Sequence, residues 1–340
     1  MHETHRIAER LDTRGNFPCA LVTLVAVSGS SYRRPGARLL IESDGSRVGS
    51  ISGGCLEADV IARAARVRAT GAAEVVVYDT TSENDLVWGV GLGCHGVVHL
   101  LVERIDAAPD WAATLRRNAA QNRATPLRTV WTSPGPLPLG TSLAEAPLEG
   151  AGEIRVFEER VPPPTPLVVF GAGDDVQPLV RFARELGWHI TVADPRPDFV
   201  TPGRFPAADR LVTSPAADLV AAVDPPTNAV AVVMTHHYVH DLPILGALFE
   251  RDLAYLGLLG PKKRAARIVG DLQRSGTTVT DSQVRRLHAP VGLDLGADGP
   301  AEVALSIVAE IQAALAGRNA QSLRHRDTPI HEPSSLSLPA

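Results

Sequence analysis

Cysteine is scarce in this sequence: 340 residues hold three, an odd number with no paired spacing. That excludes the disulfide framework of a small secreted protein and makes reduced thiols the default. Neither Cys55 nor Cys94 opens a C-x-x-C or stands at a usual zinc spacing from histidine, so no zinc site follows. Long apolar runs are also missing. No stretch is long enough to span a bilayer, and Met1-His2-Glu3-Thr4-His5-Arg6 lacks the apolar region of a secretory signal, so a cytoplasmic protein without membrane contact is expected. Nor is there an excess of positive charge: 33 Lys and Arg face 38 Asp and Glu, for a formal net charge of −5. A general nucleic-acid surface is therefore not expected. No internal repeat is found, and a hydrophobic content of 44% over this length suits two domains with ordinary cores.

What is there begins with the setting of two cysteines, in Ser52-Gly53-Gly54-Cys55-Leu56-Glu57 and in Gly91-Leu92-Gly93-Cys94-His95-Gly96. Glycine flanks let the backbone approach a ligand closely and aim N–H groups at it, which a packed core position does not need. A helix is predicted over Leu56 to Ala69, and its N-terminal N–H groups and dipole favour a thiolate at Cys55. Glu57 and Asp59 in the first turn oppose this. The plainer reading is a pair of turn cysteines without chemistry, and Trp88 reads as a packing residue.

Ala20 to Val27 is a near-continuous apolar run that predicts a strand buried on both faces and central in its sheet. Leu39 to Glu42 and Arg47 to Ile51 flank Asp44-Gly45, a two-residue hairpin signal. Further strands are expected over Ala73 to Tyr78, Val97 to Val102, Leu127 to Trp131 and Glu153 to Glu159, with a helix over Trp111 to Arg123. The result is a mixed α/β domain with both cysteines in loops. Arg33, Arg34 and Arg38, with Tyr32 beside them, would suit an anionic ligand with a flat ring, or else form a solvated basic loop.

Val161-Pro162-Pro163-Pro164-Thr165-Pro166 reads as a stiff extended connection and marks a domain boundary. Beyond it, Leu167 to Phe170 runs into Gly171-Ala172-Gly173, a helix over Gln177 to Leu186, and a strand over His189 to Ala193 closing on Asp194. This is the opening βαβ unit of a Rossmann fold, with Gly171 and Gly173 for the tight turn and Asp194 where an acid would bind a ribose hydroxyl. Val176 stands at the third glycine position, and Asp174 and Asp175 set negative charge where a dinucleotide phosphate would lie. Strands over Ala229 to Thr235 and Ala254 to Leu259 alternate with helices over Asp241 to Glu250 and Lys262 to Arg274, predicting a mainly parallel sheet. Asp194-Pro195-Arg196, Thr235-His236-His237-Tyr238 and Gly260-Pro261-Lys262-Lys263-Arg264 fall at strand ends, where ligands of such sheets bind. A last helix is expected over Pro300 to Leu315, then a loose tail over residues 317–340.

Several of these motifs together carry a resemblance. They are Gly29-Ser30-Ser31-Tyr32-Arg33-Arg34-Pro35-Gly36-Ala37, the Cys55 and Cys94 glycine runs, Thr235-His236, Leu256-Gly257-Leu258-Leu259-Gly260-Pro261-Lys262-Lys263-Arg264, and His288-Ala289-Pro290-Val291-Gly292-Leu293. Through them the chain, up to about Ala316, resembles the XdhC/CoxI family of accessory proteins for molybdenum hydroxylases. The resemblance implies a family-type domain over 1–160, a Rossmann-like domain over 166–316, and a homodimer. It also implies a maturation factor that holds molybdenum cofactor (molybdopterin) for sulfuration and for insertion into a molybdenum hydroxylase apo-enzyme, with a cysteine desulfurase as a further partner. The resemblance implies a cofactor-binding chaperone more than a catalyst. Cys55 and Cys94 would then face one cavity as transient partners of molybdenum or sulfur, with Gly53 and Gly54 as cradle and Arg33, Arg34 or Arg38 on the phosphate side. Gly171, Gly173, Asp194 and His236 would line a site in the second domain. Two departures stand out: His95 replaces a glycine usual after the second cysteine, and Asp174 replaces a histidine found in many relatives. The rival reading is an NAD(P)-dependent oxidoreductase with His236 or His237 as proton donor, and another is a pure scaffold between a desulfurase and its client.

Overall fold

The computed structural model describes residues 2–54, 56–79, 96–135, 137–145, 154–328 and 330. The chain forms two compact units that divide between Pro163 and Pro164.

The first unit runs α1 (His2–Arg14), β1 (Cys19–Gly29), β2 (Arg38–Ile41), β3 (Arg47–Gly49), α2 (Glu57–Thr70), β4 (Glu74–Asp79), β5 (Gly96–Ile105), α3 (Asp110–Ala120), β6 (Thr125–Thr132), β7 (Gly140–Leu143) and β8 (Arg155–Val161). Its larger sheet has the order β3-β2-β1-β5-β4, and a smaller one the order β7-β6-β8. Every described pairing in both is antiparallel. β1 is central, as its composition predicts. Ala20, Val22 and Leu24 pack with Val60, Ala64 and Val67 of α2, while Cys19 and Leu21 pack on the other face with Ile7 and Leu11 of α1 and Trp111 and Leu115 of α3. Each such large apolar side chain contributes ~1.5–3 kcal/mol when fully buried, which is why a two-faced strand is so apolar.

Some local readings change, and β7 adds a strand that was not expected. α1 was not expected, although Thr4, Ile7, Ala8 and Leu11 form its buried stripe at helical spacing; the polar Thr4 obscures it. The hairpin between β2 and β3 is not a two-residue turn. Ile41 pairs with Arg47, so the chain turns through Glu42 to Ser46, with Gly45 at φ +84°. Glu42 N donates to Ser46 O, which leaves a three-residue loop. Such a loop closing on a left-handed glycine serves as well as a tight turn, and Asp44 accepts from Ser46 N at 2.8 Å to shape it.

The second unit runs β9 (Pro166–Phe170), α4 (Val176–Glu185), β10 (His189–Ala193), β11 (Arg210–Val212), α5 (Leu219–Val223), β12 (Ala229–Val233), α6 (Tyr238–Phe249), β13 (Leu253–Leu258), α7 (Lys262–Arg274), α8 (Asp281–Arg286), β14 (Leu287–His288) and α9 (Pro300–Leu315). Its sheet has the order β11-β10-β9-β12-β13-β14, parallel throughout. α4 and α9 bury their apolar faces on one side, and α5, α6 and α7 on the other. All five residues of β12 are buried, as a strand covered on both faces requires. From β9 the chain first builds outward through β10 and β11, then returns to the far flank of β9 with β12. That reversal puts a crevice at the carboxyl ends of β9 and β12.

Candidate functional site

In the first unit the glycine run before α2 is held by Ser52. Its Oγ accepts from the backbone N–H of Gly54 at 3.1 Å and of Leu56 at 3.3 Å, satisfying donors that the helix start leaves open. The same hydroxyl donates to Glu57 Oε2, and Glu57 Oε1 accepts from Ser52 N at 3.2 Å. Glu57 is thus folded back on Ser52. Asp59, the other acid of the first turn, accepts from Tyr78 Oη at 2.6 Å and pairs with Arg63 at 2.7 Å. These bonds hold its carboxyl below the usual range despite partial burial. Cys55 and Cys94 themselves lie outside the described residues, as does Trp88.

The flanks of both cysteine segments are described. Gly54 takes φ +115°, a conformation that favours glycine, and Gly53 and Gly54 are exposed. The Tyr32 ring, 65% exposed, stands beside Gly53: a Cβ on that glycine would lie 4.0 Å from Tyr32 Cδ1. Asp79 pairs with Val97, and Gly96 pairs with Gly29 at the end of β1. The described ends of the Cys94 segment therefore lie at the sheet edge from which the Tyr32 loop departs. Next to Gly53 and Gly54 opens a depression of 860 Å³, whose lining includes Ser46, Arg47, Ser50 and Glu57.

The three arginines singled out by sequence have different settings. Arg34 is exposed, with no side-chain partner among the described residues. Arg33 is half-buried and forms a two-bond pair with Glu3 of α1. Arg38, expected on the phosphate side, lies inside the fold. It is fully buried on β2, pairs with Glu159 of β8 at 2.5 Å and donates to Gly36 O at 3.2 Å, because it bridges the two sheets. Nearby, Glu103 of β5 accepts from Thr141 N and Oγ1 at 2.9 and 2.6 Å, and burial pushes its carboxyl above the usual range. The third cysteine, Cys19, is buried, which pushes its thiol up to about 11 and leaves it inert.

In the second unit Gly171 leaves β9 at φ +132°, and a Cβ there would meet Met234 O at 2.4 Å. Only glycine lets the ends of β9 and β12 approach so closely. A Cβ on Gly173 would lie 2.6 Å from Asp175 Oδ1. Asp194 stands just after β10, where the sequence sets it. Its carboxylate is fully buried. It accepts from Arg196 N at 2.9 Å, from Arg196 Nε and Nη2 at 2.8 Å each, and from Ala172 N at 2.9 Å. With four donors from the turn itself, it has no accessible lone pair for a ribose hydroxyl. Burial raises its pKa, but these bonds outweigh that and hold the carboxyl below the usual range.

Asp174 pairs with Arg204 at 2.9 Å, and Asp175 with His236 Nε2 at 2.7 Å. The two acids that the sequence sets against a phosphate are each matched inside the fold. His236 reaches across the crevice from a backbone at φ +60°, a conformation that non-glycine residues hold only when their surroundings impose it. His237 caps α6, and Thr235 below it donates to Asp241, which pairs with Arg264 of α7. At the edge strand, Glu310 of α9 accepts from Tyr255 Oη and from Gly292 N at 2.8 Å, and lies 3.2 Å from His288 Nδ1. His288 stacks on Tyr255 with ring centroids 4.3 Å apart. This explains the His288 to Leu293 motif as a fastening between β14 and α9. Sequence reasoning missed Arg47, Arg204 and Glu310, which lie outside the motifs they serve. It also missed the Ser52 and Glu57 bond pair, whose five-residue spacing is not that of a capping box.

No group of three or more His, Cys, Asp or Glu able to hold a metal ion occurs among the described residues. No helix among them is long and apolar enough to cross a membrane.

The XdhC and CoxI family matches residues 13–79, and the XdhC Rossmann domain matches residues 167–311. A Bacillus subtilis protein, named as a probable subunit of xanthine dehydrogenase, is 33% identical over 310 residues, covering 86% of this chain and 91% of that one. The Escherichia coli molybdenum cofactor insertion chaperone PaoD is 25% identical over 293 residues, covering 86% and 81%. A crystal structure described as a xanthine dehydrogenase from Bacillus halodurans superposes with a TM-score of 0.78 at 33% identity, covering 94% of this chain and 98% of that one. With this identity over nearly its full length and matches in both units, the chain belongs to the XdhC and CoxI family.

Proposed function

We propose that this protein is a maturation factor for a molybdenum hydroxylase: it binds molybdenum cofactor at the Cys55 loop, assists its sulfuration and passes it to the apo-enzyme. Kinship with a cofactor insertion chaperone supports the general role. The single structural observation that carries the site is the approach of Tyr32 to the exposed Gly53, where a Cβ would lie 4.0 Å from the tyrosine ring, beside an open depression. The donor set fits the cargo. A flat ring can stack on Tyr32, and a thiophilic metal suits Cys55 and Cys94. Of the three predicted arginines, Arg34 is the one without a partner among the described residues, and so is open to an anion. A cysteine desulfurase and a second copy of the chain are proposed partners, and residues 1–160, 166–316 and 317–340 are proposed as cargo domain, Rossmann-like domain and tail.

The test is metal and pterin analysis of the full chain purified from a host that makes the cofactor. Wild type should carry molybdenum and pterin together, and Cys55→Ser and Cys94→Ser should lose both. Equal retention in all three, with undiminished activation of the client, overturns the reading. For the second unit we propose that any nucleotide bound in the crevice is not held through Asp194, since its lone pairs are engaged. Calorimetry with NAD+, NADP+ and AMP checks this, and silence for all three removes the oxidoreductase alternative.

A further inference from the structure

Arg47 at the start of β3 is exposed and has no side-chain hydrogen bond or ion pair among the described residues. Arg34 is likewise exposed without a side-chain partner among the described residues, but it does not line this depression, and the other arginines of this part of the unit are engaged. Arg38 is buried against Glu159, Arg33 is paired with Glu3, and Arg63 is paired with Asp59 and Glu74. Arg47 lines the depression that Gly53 and Gly54 also line. The N–H of Gly53 has no partner among the described residues either, whereas that of Gly54 is taken by Ser52 Oγ. Two residues whose donors have no protein partner among the described residues, one of them carrying a full charge, thus line one open space. The acid on the lining, Glu57, is turned to Ser52, each oxygen accepting one bond from it, and its negative charge stays on the wall, working against Arg47. The hydroxyls of Ser46 and Ser50 are donated to Glu42 and to Ser52 O, so they leave the anion to the guanidinium and the backbone. Glycine at 49 is required to shape the wall, since a Cβ there would lie 2.2 Å from Arg38 O, at φ +91°.

We infer that this depression is an anion site for a terminal phosphate monoester, held by the Arg47 guanidinium and the Gly53 N–H. The inference rests on the proposed cargo in taking that phosphate to be the one on the pterin. A guanidinium fork and a backbone N–H suit phosphate oxygens in geometry as well as charge.

The experiment uses the full chain in two arms. In the first, protein from a cofactor-making host is analysed for retained pterin as wild type, Arg47→Gln, Arg47→Lys and Cys55→Ser. In the second, protein from a host lacking the cofactor is titrated with inorganic phosphate by calorimetry. Arg47→Gln is expected to lose about tenfold or more in affinity in both arms, as removal of a charge-assisted bond implies, and Arg47→Lys to recover part of it. Wild-type binding should weaken with salt more steeply than that of Arg47→Gln. Retention lost in Cys55→Ser but unchanged in Arg47→Gln overturns the phosphate site and leaves the cargo reading standing. Arg47-dependent phosphate binding without pterin in any sample upholds the anion site and overturns the cargo reading. Phosphate binding that is absent, or the same in wild type and Arg47→Gln, overturns the inference.

Discussion

Ser52 and Glu57 bond to each other twice, through the serine N–H and hydroxyl, and so close a ring of chain that spans position 55. The pair ties the glycine run to the first turn of α2. It also fixes a carboxylate close along the chain to the thiol.

Replacing Glu57 by Gln keeps a hydrogen-bonding partner for Ser52 while removing that negative charge. In a Cys94→Ser background, alkylation of Cys55 by iodoacetamide near pH 7 should accelerate several-fold, since a nearby anion disfavours the thiolate. Cys19 is buried and will not contribute. Ser52→Ala should lower stability by about 1 kcal/mol, as loss of a helix-start acceptor does, measured by urea unfolding.

The pair of the buried Arg38 with the partly buried Glu159 makes a sharper stability prediction. Arg38→Ala leaves a carboxylate and a sheet interface without their cation and should destabilise by about 3–5 kcal/mol. Arg34→Ala removes an exposed side chain and should stay within about 0.5 kcal/mol of wild type. Thermal unfolding of the two variants separates structural from surface arginine; equal melting temperatures would contradict the assignment of Arg38.

Gly171 and Gly45 both have positive φ, but their surroundings differ. Gly171→Ala combines an unfavourable backbone with a Cβ 2.4 Å from Met234 O, so it should be destabilised beyond the about 1–3 kcal/mol typical of backbone strain alone. Gly45→Ala meets nothing within 4 Å and should show the backbone effect only. Denaturant midpoints at equal m-values give the comparison.

Asp194 makes the second unit sensitive to acid. Its folded carboxyl is held below the range of an unfolded aspartate, so the folded state binds fewer protons at this site than the unfolded state does. The stabilisation is complete above the unfolded value of about 4 and is lost as pH falls through the lower folded value. Asp194→Asn should be less stable than wild type at pH 7, and the gap should narrow below about pH 4. A gap independent of pH would mean that the carboxylate charge is not what holds Arg196.

Much of this architecture was legible in local sequence. The apolar run of β1, the strand, glycine turn and helix from Leu167 to Leu186, and the parallel alternation that follows all rest on periodicity and turn chemistry, which neighbouring residues determine. The candidate site was legible as residue types: two cysteines among glycines, arginines near a tyrosine, an acid at a strand end. Which of those side chains face outward was not. Arg33, Arg34 and Arg38 look alike in sequence, yet the first pairs with α1, the second is exposed and the third lies between two sheets.

The sequence by itself determined most of the longer elements and the kinship with a known family, because these depend on local backbone preference and contiguous motifs, while α1, β7, β11, α5, α8 and β14 were not read from it. Only the tertiary structure decided the pairing. Asp194 is closed by Arg196 and Ala172, Asp175 is met by His236 from the loop after β12, and Arg47 lines one depression with Gly53 and has no side-chain partner among the described residues. A charge in a sequence is open to any partner. Once folded, its partners are those few groups within about 4 Å, and burial makes the difference between a bonded and an unbonded one large.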